Sequence, residues 1–445
     1  MSLINKIIGK LHLSPTKEKV VRNIVWAVTG KVVTLLGGLL VGIFVARYLG
    51  PEQYGLMSYV MSYVALFQVL ASFGMDNIEI REEAKMPEDK DKIIGTAFGL
   101  KLVFAVVTMG LIALTAWLFE ADSFTKWMII LYSISMIMNS FGVIRNYFTS
   151  LVWNEYIVKT EISRTLIGAG IKVVLLLLHA PLVWFIAATL FDTVLIAGGY
   201  LVSYRSKIDS VRKWQFDKEK AKHLIKQSFP LLLSGAAVVV YQKIDQVMLG
   251  NMLDKEAVGY YAVAAKFVEI LVFIPQIASQ TMFPILTRIK QKNFGNYQET
   301  AQKFVNITLW VSILVAILMC VASKVLIKFT YGYEYRAAVP VLQIMVFKIT
   351  GMALSESTGQ MIIIEGKHKY AFIRNILGCC LAIGLNFFLI PTHGIIGSAI
   401  ISIVVTLFVG CLANILIPQY HRYFLIQLKA FTCGWRDFNR LIKRN

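Results

Sequence analysis

The sequence predicts an all-α polytopic membrane protein, with about twelve transmembrane helices in two six-helix lobes around a central cavity. Three observations predict it. Of 445 residues, 57% are hydrophobic and the mean hydropathy is +0.64, more apolar surface than a soluble domain needs. Apolar runs long enough to cross a bilayer recur along the whole length, and none shows the alternating pattern of a membrane β-strand. Lysine and arginine are distributed unevenly between alternate connections, as the positive-inside rule requires of a multi-pass chain.

Residues 1–20 place Leu3, Ile4, Ile7, Ile8 and Leu11 on one helical face, with Lys6 and Lys10 off it. They read equally as an interfacial helix or as a solvated tail. Spans are then expected at about 24–46, 54–75, 93–118, 127–150, 163–180, 182–204, 229–250, 257–285, 304–327, 337–363, 371–390 and 394–418. With the N-terminus inside, the inner segments hold 32 Lys and Arg and the outer ones six. Both termini are therefore expected in the cytoplasm. The charged stretch 205–228 divides residues 21–204 (N-lobe, spans one to six) from 229–418 (C-lobe, spans seven to twelve) and reads as a linker. Residues 419–445 are basic and aromatic, and are expected along the inner membrane surface, held by anionic lipid. The net charge of +19 follows from this topology and needs no nucleic acid. Five cysteines lack metal spacing and read as buried free thiols.

The chemistry is expected inside the spans. Seven basic residues remain there: Lys31, Lys101, Arg145, Lys172, Lys243, Lys266 and Lys348. Four acids accompany them: Asp192, Asp245, Glu269 and Glu356. A charge at the bilayer centre costs roughly 2.5–3.5 kcal/mol on insertion scales, so such residues should face water or one another. Arg145 and Lys172 sit where they either snorkel to the interface or serve inside, and Lys101 reaches part of the way. Gln242, Asp245 and Gln246 share one face of the seventh span. Lys266, Glu269, Gln276 and Gln280 share a stripe on the eighth, and Lys348 and Glu356 follow on the tenth. Mutual pairing, of Lys266 with Glu269 or of Lys243 with Asp245, would absorb some of these charges. Positive charge stays in surplus, which suits an anionic substrate; phosphate offers lysine several acceptor oxygens. The candidate substrate-binding residues are Lys31, Lys243, Lys266 and Lys348. Asp245, Glu269, Glu356, Gln242 and Gln246 are the candidate coupling and ion-pair groups.

No HExxH, Walker A or GxSxG motif occurs. Asp89-Lys90-Asp91 matches a three-letter acidic pattern that charged loops often contain. The six histidines are scattered and none pairs with a carboxylate at ligand spacing. Gly38 and Gly42 form a GxxxG that favours close helix packing.

The stretch Asn23–Trp26, Lys31 and Ala46–Gly55 (ARYLGPEQYG) resembles the opening of the Wzx-type polysaccharide biosynthesis flippases. Lys243–Gly250 (KIDQVMLG) with Val258–Tyr261 (VGYY) is similar to that family's second-lobe signature, and Tyr331–Tyr335 (YGYEY) to a third. The resemblance covers nearly the whole chain. It implies the multidrug/oligosaccharidyl-lipid/polysaccharide exporter superfamily, a cationic cavity, and alternating-access movement of undecaprenyl-diphosphate-linked oligosaccharides across the cytoplasmic membrane. It implies no cofactor beyond a coupling proton or sodium ion, and it brings other polysaccharide assembly proteins into view as partners. Lipid II flippases usually carry fourteen spans, which argues against that assignment. Two rivals stand beside this reading. One is a drug or cation exporter on the same scaffold, which should carry an acidic cavity. The other is a membrane glycosyltransferase or glycan polymerase, which the short outer loops disfavour.

Overall fold

The computed structural model describes residues 15–367 and 370–442, which are almost wholly helical; the first part of the N-terminal segment lies outside the described residues. Contacts divide the chain into two compact units. Unit 1 is Met1–Tyr48 with Tyr63–Ala236, and unit 2 is Leu49–Ser62 with Ala237–Asn445.

The helix α1 runs Pro15–Ser72 but is broken at Gly50, whose φ of 71° and ψ of 172° are not helical. Glycine reaches that conformation without strain, and Pro51 opens the next turn with its φ already set. The same device recurs at Gly394 (φ 55°). Among the described residues, eight helices are long and apolar enough to span, and a ninth if the pair Tyr333–Met345 and Lys348–Ile364, bent by 41°, is one span. Splitting at Gly50 and Gly394 and adding the more charged helix Asn154–Leu177 recovers the twelve expected spans. Trp117, Phe119, Val321, Phe329 and Phe388 are each at least 70% exposed. Such exposure suits hydrocarbon and not water.

In unit 1, α1 is followed by α2 (Asp76–Lys85), α3 (Lys90–Phe119), α4 (Ser123–Ser133), α5 (Ser135–Asn139), α6 (Gly142–Ser150), α7 (Asn154–Leu177) and α8 (Leu182–Lys207). Its core gathers Met75, Ile94, Ala97, Val143, Phe148 and Tyr204. The stretch expected as a linker is bonded into this unit. Trp214 donates to Tyr204 Oη at 3.1 Å, and the Gln215 and Asp217 amides bond Asp91 O (3.1 Å) and Thr96 Oγ1 (2.9 Å). Gly95 leaves room for this backbone: a β-carbon there would sit 2.6 Å from the Gln215 amide.

The helix α9 (Lys218–Met252) enters unit 2, which adds α10 (Lys255–Lys292), α11 (Phe294–Thr330), α12 (Ala338–Met345), α13 (Lys348–Ile364), α14 (Ala371–Leu407), α15 (Ala413–Leu416), α16 (His421–Cys433) and α17 (Trp435–Ile442). The glycine-rich signatures meet here. A β-carbon on Gly55 would strike the Lys255 carbonyl, and one on Gly259 would strike the Pro51 carbonyl. Backbone therefore packs on backbone where α1 crosses α10. Tyr59 Oη donates to Asn251 Oδ1 (2.5 Å), and Ser62 Oγ to Gln246 Oε1 (2.6 Å). The C-terminal α16 buries Tyr423, Ile426 and Ala430, and Trp310 donates to the Ala430 carbonyl at 3.0 Å. All five cysteines are free, and only Cys411 is buried, a correction to the buried-thiol expectation. Cys380 stands exposed on a lipid-length helix, where a small apolar thiol costs little.

Candidate substrate site

Four helices of unit 2 bring charged side chains together. On α9, Lys243 and Asp245 are two residues apart and point to different neighbours. Lys243 Nζ lies 2.8 Å from Glu269 Oε1 of α10, and Lys266 Nζ, one turn before Glu269, lies 3.3 Å from Oε2. One carboxylate is thus shared by two ammonium groups. All three side chains are between about a third and a half exposed. A third lysine, Lys348 at the start of α13, is half-buried and makes no hydrogen bond among the described residues. Its electrostatic neighbours are Asp245, Lys243 and Glu269.

Asp245 is buried and differently employed. It accepts from Tyr261 Oη and from the Gln246 amide at 2.8 Å. The Lys243–Asp245 pair weighed from sequence is therefore replaced by Lys243–Glu269. A helical i, i+2 offset turns two side chains about 160° apart, and Glu269 on the next helix is better placed. Gln246 is held by Ser62 and acts in packing; Gln242 is half-buried on the same helix. Glu356, on α13, is half-buried beside Gln276 and Arg374. Lys31 belongs to unit 1 and is exposed there.

Arg374 was among the 32 Lys and Arg counted with the inner segments. It is instead 8% exposed, in the first turn of α14, with Nε and Nη1 lacking any hydrogen-bond partner among the described residues. Counting it, Lys243, Lys266, Lys348 and Arg374 face Asp245, Glu269 and Glu356. These seven side chains carry one positive charge in excess.

Sequence reasoning also missed a cluster in unit 1. Asp76, Glu79 and Glu83, spaced three and four apart, share one face of α2. Buried Lys101 of α3 reaches Asp76 Oδ1 (2.7 Å) and Glu79 Oε1 (2.8 Å), and Asn146 of α6 donates to the same two carboxylates (2.9 and 2.6 Å). Glu83 is 2% exposed and, among the described residues, neither of its oxygens has a donor. Lys101 therefore does not snorkel, and neither does Lys172, which pairs with Asp192 at 2.6 Å. Arg145 is half-exposed, with Nε 3.5 Å from Glu161. Among the described residues, no three His, Cys, Asp or Glu side chains converge as metal ligands would.

Residues 20–290 match the family model described as polysaccharide biosynthesis protein, and residues 230–388 match that of MatE. A Shigella flexneri protein named "Putative O-antigen transporter" is 22% identical over 405 residues, covering 86% of this chain and 93% of that one. The fold is similar to that of the lipid II flippase MurJ in an inward closed conformation, with a TM-score of 0.66, 17% identity, and 93% and 92% of the two chains covered. It is likewise similar to an inward-facing multidrug resistance MATE transporter of the MOP superfamily, with a TM-score of 0.63, 16% identity, and 92% and 96% covered.

Proposed function

We propose that this chain, which belongs to the polysaccharide biosynthesis protein family, is a flippase that carries undecaprenyl-diphosphate-linked oligosaccharide units across the cytoplasmic membrane by alternating access. The observation that carries the reading is the lysine-rich cluster of unit 2. Lys243, Lys266 and Lys348 outnumber Asp245 and Glu269, and the shared carboxylate is half-exposed. The name of the Shigella relative, "Putative O-antigen transporter", and the likeness of fold to a lipid II flippase fit a glycan on a lipid carrier.

The physics is one of exchange. A diphosphate entering the cluster competes with Glu269 for two ammonium groups, and Lys348 supplies a charge that no hydrogen bond engages among the described residues. Charge-assisted hydrogen bonds to phosphate oxygens are worth about twice neutral ones. Glu269 then needs a new partner, which is a proton, a sodium ion or a shift of α10. Return of the Lys243–Glu269–Lys266 arrangement expels the diphosphate on the far side. The sugars ride in water, the polyprenyl tail stays in lipid, and no covalent step is needed. Both termini face the cytoplasm in this scheme, and anionic lipids and other polysaccharide assembly proteins are its partners.

The test is transport of a labelled lipid-linked oligosaccharide by proteoliposomes, with and without proton and sodium gradients. Lys266→Gln and Lys348→Gln should each lower initial transport about tenfold, the scale of one charge-assisted bond, while the protein still inserts. Unchanged transport in both would refute the site. The MatE match over residues 230–388 favours a second reading, an exporter of organic cations; the lysine excess opposes it, and uptake of such cations by the same vesicles would establish it.

A further inference from the structure

The inference rests on the flippase reading and concerns Arg374, which no motif or resemblance assigned. Three observations set it apart. Its guanidinium is buried, yet among the described residues Nε and Nη1 have no hydrogen-bond partner, so each of its two donor forks keeps an N–H that no described group engages. It lies in the first turn of α14, which runs unbroken from Ala371 to the break at Gly394 and has no side-chain cap at its N-terminus. The peptide dipoles there add positive potential, which disfavours a cation and favours an anion. Its electrostatic neighbours are the phenols of Tyr241 and Tyr420 and one carboxylate, Glu356. Tyr420 Oη is committed to the Lys367 carbonyl at 2.9 Å. No ion pair forms between Glu356 and Arg374 within 4 Å among the described residues.

An uncommitted buried guanidinium costs stability, and burial beside an uncapped helix start raises that cost. An anionic ligand that completes it would offset that cost. The guanidinium's planar forks match the oxygens of a phosphate or diphosphate in pairs, better than a lysine point charge does. The Lys and Arg count assigns this end of α14 to the cytoplasm, the side on which a lipid-linked glycan is made.

We propose that Arg374 is the first anchor for the diphosphate of the lipid carrier, an entry station that precedes the Lys243–Lys266–Lys348 cluster, with Glu356 limiting how tightly it holds.

The experiment is titration of the purified full chain with farnesyl diphosphate and with inorganic diphosphate, together with thermal unfolding of the same samples. Arg374→Gln should weaken farnesyl diphosphate binding about tenfold or more while leaving the melting temperature equal or higher. Arg374→Lys should recover only part of the affinity. Glu356→Gln should tighten binding, because a like charge is removed. Unchanged affinity in Arg374→Gln overturns the proposal. So does a fall in melting temperature shared by Arg374→Gln and Glu356→Gln, the mark of a structural pair. Inorganic diphosphate binding as tightly as farnesyl diphosphate overturns the lipid assignment. The parent reading is separable: if wild-type protein moves no lipid-linked glycan but Arg374→Gln still loses farnesyl diphosphate, the flippase reading fails and the anion site stands.

Discussion

Replacing Lys101 with methionine should be among the most damaging single changes to unit 1. Lys101 is 2% exposed and Glu79 fully buried, so solvent screens their contact little. The ammonium contacts Asp76 at 2.7 Å and Glu79 at 2.8 Å. Asp76 keeps 54% of its side-chain surface and can turn to solvent, so its share is small. Glu79 cannot, and Glu83 is buried beside it without a donor. Breaking a buried pair from one side costs about 3–5 kcal/mol. That is a change of roughly a hundredfold to several thousandfold in the folding equilibrium. For a unit of this size it lowers the melting point by roughly 6–20 °C. The assay is thermal unfolding of detergent-solubilised protein, supported by residual binding after fixed heating times, because membrane proteins often unfold irreversibly. Glu79→Gln in the Lys101→Met background should recover part of the loss. A single mutant that melts within about 2 °C of wild type, or a double mutant no better than the single, would refute the reasoning.

The other expectations can be checked alongside. Gly259→Ala should cost about 1–3 kcal/mol, because the added carbon strikes the Pro51 carbonyl and backbone cannot move aside; wild-type thermal stability would contradict this. Glu269→Gln should leave the protein folded but bind farnesyl diphosphate more tightly and release it more slowly, since the competing carboxylate is gone; an unchanged off-rate in stopped-flow measurement would count against the exchange mechanism. Glu83→Gln should be stable or slightly stabilising, for it removes a charge that no donor serves; a fall in melting temperature on the scale of Lys101→Met would mean that the charge is needed.

The spans were legible because hydropathy at twenty-residue scale is insensitive to detail. The breaks at Gly50 and Gly394 also showed, since glycine beside proline or a turn residue is a local signal. The charged clusters were half legible. Spacing placed Lys266 and Glu269 on one stripe correctly, but it cannot say which helix lies opposite. Lys243 was therefore offered the wrong carboxylate. Arg374 was counted with the inner segments although the expected span 371–390 contains it, and the acids of α2 were passed over, because counting Lys and Arg along the chain does not ask which charges are buried. Asp76, Glu79 and Glu83 recur at three and four residues, and that periodicity was available as a warning. Arg374 carried no such signal, because its electrostatic neighbours Tyr241 and Tyr420 are distant in sequence.

The membership of Leu49–Ser62 in unit 2 has a genetic corollary. A gene cut within the charged stretch 205–228 would not yield two self-sufficient halves. The upstream product would carry a helical segment whose Gly55, Tyr59 and Ser62 belong with the downstream product, and the latter would have Gly259, Asn251 and Gln246 bare. Fragment complementation should therefore demand co-expression, and the downstream half alone should be an aggregating polypeptide until that missing strip of α1 is supplied.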